Sequence, residues 1–302
     1  MLAIPVFTQN RISPTSNMVK KNKKQQHTLK FLYMTSSGKV VRAIIKNKWF
    51  SSLAGVYADS RISKREIEPF VCKYDINMHE AQESYYRTFN DFFSRKLKTS
   101  ARPIELNPKT VVSPADGQIL VIENIQAVTP FPIKEICCNL EKLLGSKKIA
   151  ESFIGGTLVI VRLAPWDYHR FHFPLDGIPE VPLVIHGKYE SVNPIAYYAN
   201  IQPLTENERH VILFNTEQCS RMAIIPVGAL CVGRLIETYQ PHVVHNKGDE
   251  TGYFEFGGST VVLLFEKDTV KINENILINS RKAQETVVKM GQVIGEICLA
   301  AA

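Results

Sequence analysis

The chain has 302 residues, 45% of them hydrophobic, and a formal charge of +7, so it can bury a sizeable core as one or two domains. No apolar run reaches the roughly 18 residues of a membrane-spanning helix, and the N-terminus lacks the basic-then-apolar order of a secretory signal. Six cysteines (Cys72, Cys137, Cys138, Cys219, Cys231 and Cys298) fall in no CxxC or His/Cys spacing, which favours packing thiols of a reduced protein over disulfides or a metal site.

In chain order, the first feature is a basic arm. Residues 1–50 hold ten basic residues (Arg11, Lys20, Lys21, Lys23, Lys24, Lys30, Lys39, Arg42, Lys46 and Lys48) and no acid, so the remainder is mildly acidic. Met18 and Met34 are alternative starts. Residues 1–40 read as a disordered basic leader. Residues 40–57, VVRAIIKNKWFSSLAGVY, place Trp49 and Phe50 beside Lys46 and Lys48, as expected of a segment that lies on an anionic membrane. No basic patch continues into the body, which argues against nucleic acid.

Residues 41–100 read as a helical, membrane-associating region. Ser63–Glu66 and Asn77–Glu80 have the spacing of capping boxes. Ala81, Tyr85, Phe89, Phe92 and Phe93 recur at helical spacing and predict a core-facing helix. From residue 101 to 302 the texture becomes that of a β-rich domain. Short apolar runs, VVSPADGQILVIE (111–123), TLVIVRLAP (157–165), HVILFNT (210–216), MAIIPVGALCVGRLIE (222–237) and STVVLLFE (259–266), are bounded by Pro, Gly and Asp. One inserted helix is expected over 135–150, with Cys137 and Cys138 packed on it. The fold class is α+β: an N-terminal helical segment packed on a mainly β domain.

Three polar clusters interrupt apolar surroundings. SPADG (113–117) is good turn chemistry, and a turn is its plainer meaning. In WDYHRFHFP (166–174), His169 and His172 point to opposite faces if the segment is extended and converge only in a turn; a third metal ligand is absent nearby. In FEFGGSTVVLLF (254–265), Gly257 and Gly258 weaken a strand just before Ser259, as in a β-bulge. Together Asp116, His172 and Ser259 are the parts of an activated serine nucleophile, although any chain of this length contains such a triplet by chance.

YRTFNDFFSRKLKTSARPI (86–104), VVSPADGQI (111–119), PWDYHRFHFP (165–174), ESVNP (190–194), GDETGYFEFGGSTVVLLFE (248–266) and KMGQVIG (289–295) closely resemble the bacterial phosphatidylserine decarboxylase family. The resemblance spans about residues 45–299 and implies a lipoyl-like hammerhead or barrel-sandwich core. It also implies a proenzyme that cuts itself at Gly258–Ser259, with His172 as the base, Asp116 orienting it, and Ser259 converted to a pyruvoyl group. That covalent cofactor would take the amine of phosphatidylserine as a Schiff base and yield phosphatidylethanolamine and CO2, with His169 acting in decarboxylation. No metal is implied. The implied partners are an anionic membrane holding phosphatidylserine, and the two cleavage products, 1–258 and 259–302, held as a heterodimer that is open to further dimerisation. The implied location is peripheral, on the cytoplasmic side of the cell membrane. Two rivals remain at this level: a hydrolase that keeps Ser259 intact, and a non-enzymatic carrier domain, since SPADG and KMGQVIG resemble lipoyl-domain turns.

Overall fold

STVVLLF is apolar at every position after Thr260, which demands burial on both faces of a sheet. The computed structural model, which describes residues 27–45, 48–130, 137–217, 220–230, 234–257 and 259–298, meets that demand. Strand Ser259–Phe265 lies inside an antiparallel sheet between Thr157–Leu163 and Ser220–Gly228. The sheet continues outward through Gly117–Ile122 to Thr286–Val288 on one side. On the other it runs through Arg209–Thr216 to Ile178–Pro179. Alternate residues feed two cores. Val261, Leu263 and Phe265 join one with Ile119, Val161 and Ile224, whereas Val262 and Leu264 join another with Leu140, Leu143 and Phe153.

The first core is closed by a three-stranded sheet of Thr110–Val112, Val293–Ile297 and Val270–Ile272, which contributes Val111, Ile272, Ile294 and Ile297. Helix Glu274–Arg281 packs on the neighbouring strand, where Ser280 Oγ accepts the Val121 amide at 3.0 Å. The result is the expected α+β arrangement, helices before a mainly β domain. Among the described residues the main sheet stays open rather than closing into a barrel.

The helical part differs from expectation in three places. Residues 1–26 lie outside the described residues, as do the side chains of Trp49 and Phe50, but helix begins by residue 27. Tyr33 is buried there, donates to Glu190 at 3.0 Å and accepts from the Ser191 amide at 2.8 Å. Helices Ser36–Ile45, Lys48–Asp59 and Ile67–Tyr74 follow. Second, only Phe89–Phe93 of the aromatic series is helical, started by a capping box of Thr88 and Asp91. Tyr85 is exposed and Ala81 sits in an isolated bridge with Leu97, because Asn77 caps a single turn, Met78–Glu80, and the chain then extends. Ser63 caps nothing: its segment is a 3-10 helix, and its buried hydroxyl bonds the Ala58 and Ser60 carbonyls and accepts the Phe89 amide at 2.8 Å.

Third, residues 137–150 are not one helix. Cys137–Asn139 forms a strand, so the two cysteines pack there, and two short helices, Leu140–Leu144 and Lys147–Ser152, follow. Gly145 separates them at φ +69°, where a side chain would also strike Ile185 at 2.7 Å. Cys72, Cys138 and Cys298 are free thiols, while Cys219 and Cys231 lie outside the described residues.

Ser63 is therefore the polar rivet between the early helices and Phe89–Phe93. Ser63→Ala strands the buried Phe89 amide and should lower stability by about 1–3 kcal/mol, read as a shift of the urea midpoint.

Candidate active site

The site is assembled at the head of strand Ser259–Phe265, where Ser259 is wholly buried opposite Leu163 and Gly228. Gly257, just upstream, adopts φ +146°, a backbone that side-chain-bearing residues avoid. Gly258 lies outside the described residues. Strand Thr157–Leu163 ends in a turn at Ala164–Asp167. Asp167 fastens it, its carboxylate accepting the Ala164 amide at 2.7 Å and its own amide donating to the Ala164 carbonyl at 2.9 Å. The same carbonyl receives His169 Nε2 at 3.0 Å.

A carbonyl only accepts, so Nε2 carries the proton and Nδ1 is left as a lone pair. Nδ1 lies 3.2 Å from Ser259 Oγ, so the serine hydroxyl donates to it. The imidazole is fully buried and stacked on Phe93, with ring centroids 4.0 Å apart. Burial, with the nearby Arg95 charge, pulls its pKa down to about 3, which keeps the ring neutral and accepting.

From Arg170 to His172 the chain is a strand paired with Glu250–Phe254, and strand parity turns the second histidine away. His172 Nδ1 donates to the Gly248 carbonyl at 2.9 Å, and its Nε2 accepts the Tyr168 hydroxyl at 3.1 Å. Its backbone amide donates to Pro114 in the SPADG loop at 2.8 Å. Burial lowers its pKa too.

Asp116 is not bonded to either histidine. It accepts a fork from Arg102, at 2.8 and 2.5 Å, and the Met290 amide at 2.9 Å; Arg102 also reaches Glu80 at 2.8 Å. SPADG and KMGQVIG thus meet at one carboxylate, so SPADG is more than a turn. The structure brings Ser259 and His169 together and sets His172 and Asp116 in the adjoining layer, one through Tyr168 and the other through Arg102. The expected Ser259–His172 and His172–Asp116 contacts are absent from this arrangement. Among the described residues no group of His, Cys, Asp and Glu side chains is arranged to hold a metal.

Sequence reading passed over three participants. Arg102, which holds Asp116, is an ordinary arginine in a charged stretch. Arg95 gives no local sign that it is buried without a carboxylate. Asp167 had a signal in the quoted WDYHRFHFP: an acid directly before the Tyr-His pair. Its carboxyl is pushed up to about 7 by burial and by the neighbouring Asp116.

A family model described as phosphatidylserine decarboxylase matches residues 89–296. A Clostridium novyi protein named phosphatidylserine decarboxylase proenzyme is 42% identical over 270 residues, covering 88% of this chain and 92% of its own length. Proteins of the same name from Clostridium botulinum (strain Hall) and Clostridium perfringens are 41% and 40% identical, covering 88% and 87% of this chain and 92% and 90% of their own lengths.

The raised Asp167 carboxyl has a consequence for stability. Its folded pKa stands above the ordinary carboxylate value near 4, so its stabilising contribution is complete below about pH 4 and is lost as pH rises toward 7. Asp167→Asn keeps an acceptor for Ala164. Its thermal stability should therefore gain on the wild type between pH 4 and 7, by about 1–2 kcal/mol for this partly buried group. Parallel melting curves across that range would refute this.

Proposed function

The chain belongs to the phosphatidylserine decarboxylase family, and from that premise we propose that it is a pyruvoyl-dependent phosphatidylserine decarboxylase that makes its own cofactor by cleavage at Gly258–Ser259. The observation that carries the reading is the contact of Ser259 Oγ with a neutral, accepting imidazole at the head of a central strand. A serine is a weak nucleophile until a base takes its proton, and attack on the preceding carbonyl needs a backbone shape that Gly257 supplies at low steric strain. The hydroxyl adds to the Gly258 carbonyl and the Gly258–Ser259 C–N bond breaks, giving an ester and a free amine at residue 259. β-Elimination then releases 1–258 as a carboxylate, and water converts the remaining dehydroalanine to pyruvoyl with loss of ammonia. These residues suit a pyruvoyl group at that position: it is enclosed, fixed by ladders on both sides, and next to an imidazole.

A pyruvoyl group at residue 259 would supply an electrophilic ketone for the substrate amine and an electron sink for the loss of CO2. The chain's own residues do the rest. His169, locked by Ala164 and Phe93, stands where a proton must be held beside residue 259. The enclosing cores exclude water. Products 1–258 and 259–302 stay paired, because strand Ser259–Phe265 keeps a ladder on each side and Arg162 pairs with Glu285 at 2.6 Å across the cut.

For the first proton transfer the geometry favours His169, the ring in contact. A second reading gives that task to His172, as the family resemblance implies. It is favoured by the tie of the His172 amide to the SPADG loop, which sets the ring beside Asp116, and it requires the Tyr168 bond to yield.

Delivery of a lipid substrate falls to the helical region. No helix among the described residues is long and apolar enough to cross a membrane. Val40, Val41, Ile44, Leu53, Val56 and Ile62 are exposed there, with exposed Lys39, Arg61 and Lys64 around them. That composition suits peripheral docking on an anionic bilayer.

Intact-mass measurement of the purified protein tests the whole reading. Two chains, the smaller blocked at its N-terminus, are expected, and a single full-length mass from active protein would refute it. Ser259→Ala should remain one chain without activity. His169→Ala should also remain uncut if it is the first base. If His169→Ala matures while His172→Ala stays whole, the task belongs to His172.

A further inference from the structure

Arg95 follows helix Phe89–Phe93 and is buried, yet among the described residues no carboxylate pairs with it. Its guanidinium lies over the Phe92 ring, 5.1 Å from the centroid, and its side-chain hydrogen bonds among the described residues are two long ones, each 3.5 Å, to the Phe92 and Trp166 carbonyls. Tyr86 packs edge-on against the same ring, and its buried hydroxyl meets no side-chain hydrogen-bond partner among the described residues, only the Glu83 backbone. A guanidinium withdrawn from water without a counter-ion in contact is disfavoured. Burial pulls the Arg95 pKa down and outweighs the opposing pull of Tyr86, Asp116 and Asp167, none of which stands within ion-pair distance.

The pair also lies next to the chemistry. Phe93, two residues before Arg95, stacks on His169, and Trp166 belongs to the turn that holds His169 against Ser259. We propose that Arg95, with Tyr86 beside it, forms the receptor for the phosphodiester of the lipid substrate, which supplies the close anion that Arg95 lacks among the described residues.

This rests on the decarboxylase reading, whose substrate carries two anionic groups. A fixed cation on the carboxylate would hold the ground state of a group that must lose its charge as CO2 departs, and so would oppose catalysis. The phosphodiester keeps its charge throughout, and the planar fork of arginine suits it. Binding it is uniform between ground and transition states, so its loss should appear in KM rather than kcat.

The test uses the purified, self-cleaved enzyme in mixed micelles. Wild-type cleavage and activity are established first; their failure would remove the decarboxylase reading rather than this one. Arg95→Gln, Arg95→Lys and Tyr86→Phe are then compared on phosphatidylserine and on a serine O-alkyl ether without phosphate. On phosphatidylserine, Arg95→Gln should raise KM about 10- to 100-fold, Arg95→Lys less, and Tyr86→Phe by roughly severalfold. On the ether, every variant should keep the wild-type KM, while any change in kcat from the Arg95 charge beside His169 should be the same on both substrates. An unchanged KM for Arg95→Gln on phosphatidylserine, or equal rises in KM on both substrates, overturns the proposal; the latter would place the arginine on the carboxylate or in a structural role. Should Arg95→Gln fail to mature, Arg95→Lys and Tyr86→Phe carry the same comparison, and no difference in KM change between their two substrates overturns it.

Discussion

The hydrogen bond from Ser259 to His169 is the interaction on which the arrangement turns, because it needs four conditions to be met at once. The serine must head strand Ser259–Phe265, clamped by strands Thr157–Leu163 and Ser220–Gly228. The imidazole must be held in one tautomer, which the Ala164 carbonyl does through Nε2. Its ring must be held in one plane, which Phe93 does from the helical segment. The turn must be fastened, which Asp167 does. A small error in any of these misplaces a 3.2 Å contact.

The β domain and its motif positions were legible because each strand carries its own signal, an apolar run between Pro, Gly and Asp. The apolar run STVVLLF reads as a buried strand, and its pairing on both sides makes it a central one. Helix limits were less legible. Phe89, Phe92 and Phe93 cluster with Phe70, Val71 and Phe256 as the aromatic spacing suggested, but the same spacing wrongly extended the helix back to Ala81. Periodicity cannot see the bridge of Ala81 to Leu97, which draws that segment out straight. The break at Gly145 was visible as a glycine, but its meaning depends on Ile185, forty residues away.

The candidate site was legible as a set of residues and not as a set of contacts. Asp116, His169, His172 and Ser259 all stood out, since each is polar in apolar surroundings. Who touches whom is decided by long-range pairing: Arg102 captures Asp116, and Tyr168 and Gly248 capture His172. Removing one partner of the buried Arg102–Asp116 pair leaves a charge uncompensated, typically a loss of about 3–5 kcal/mol, so this pairing is part of the frame of the site as well as of its electrostatics.

The three-residue spacing of the histidines then has a physical sense. Had His169 to His172 formed a helical turn, both rings would share a face and compete for one hydroxyl. Because the chain leaves the Ala164–Asp167 turn as a strand, parity sends the rings to opposite sides, one to Ser259 and one to Tyr168. Each then acquires its own carbonyl, Ala164 or Gly248, and with it a fixed tautomer. One ring accepts from a serine and the other from a phenol, so a single short segment offers two differently placed proton acceptors, which is what a chain must have if it is first to alter its own backbone and then to handle a substrate at the same position.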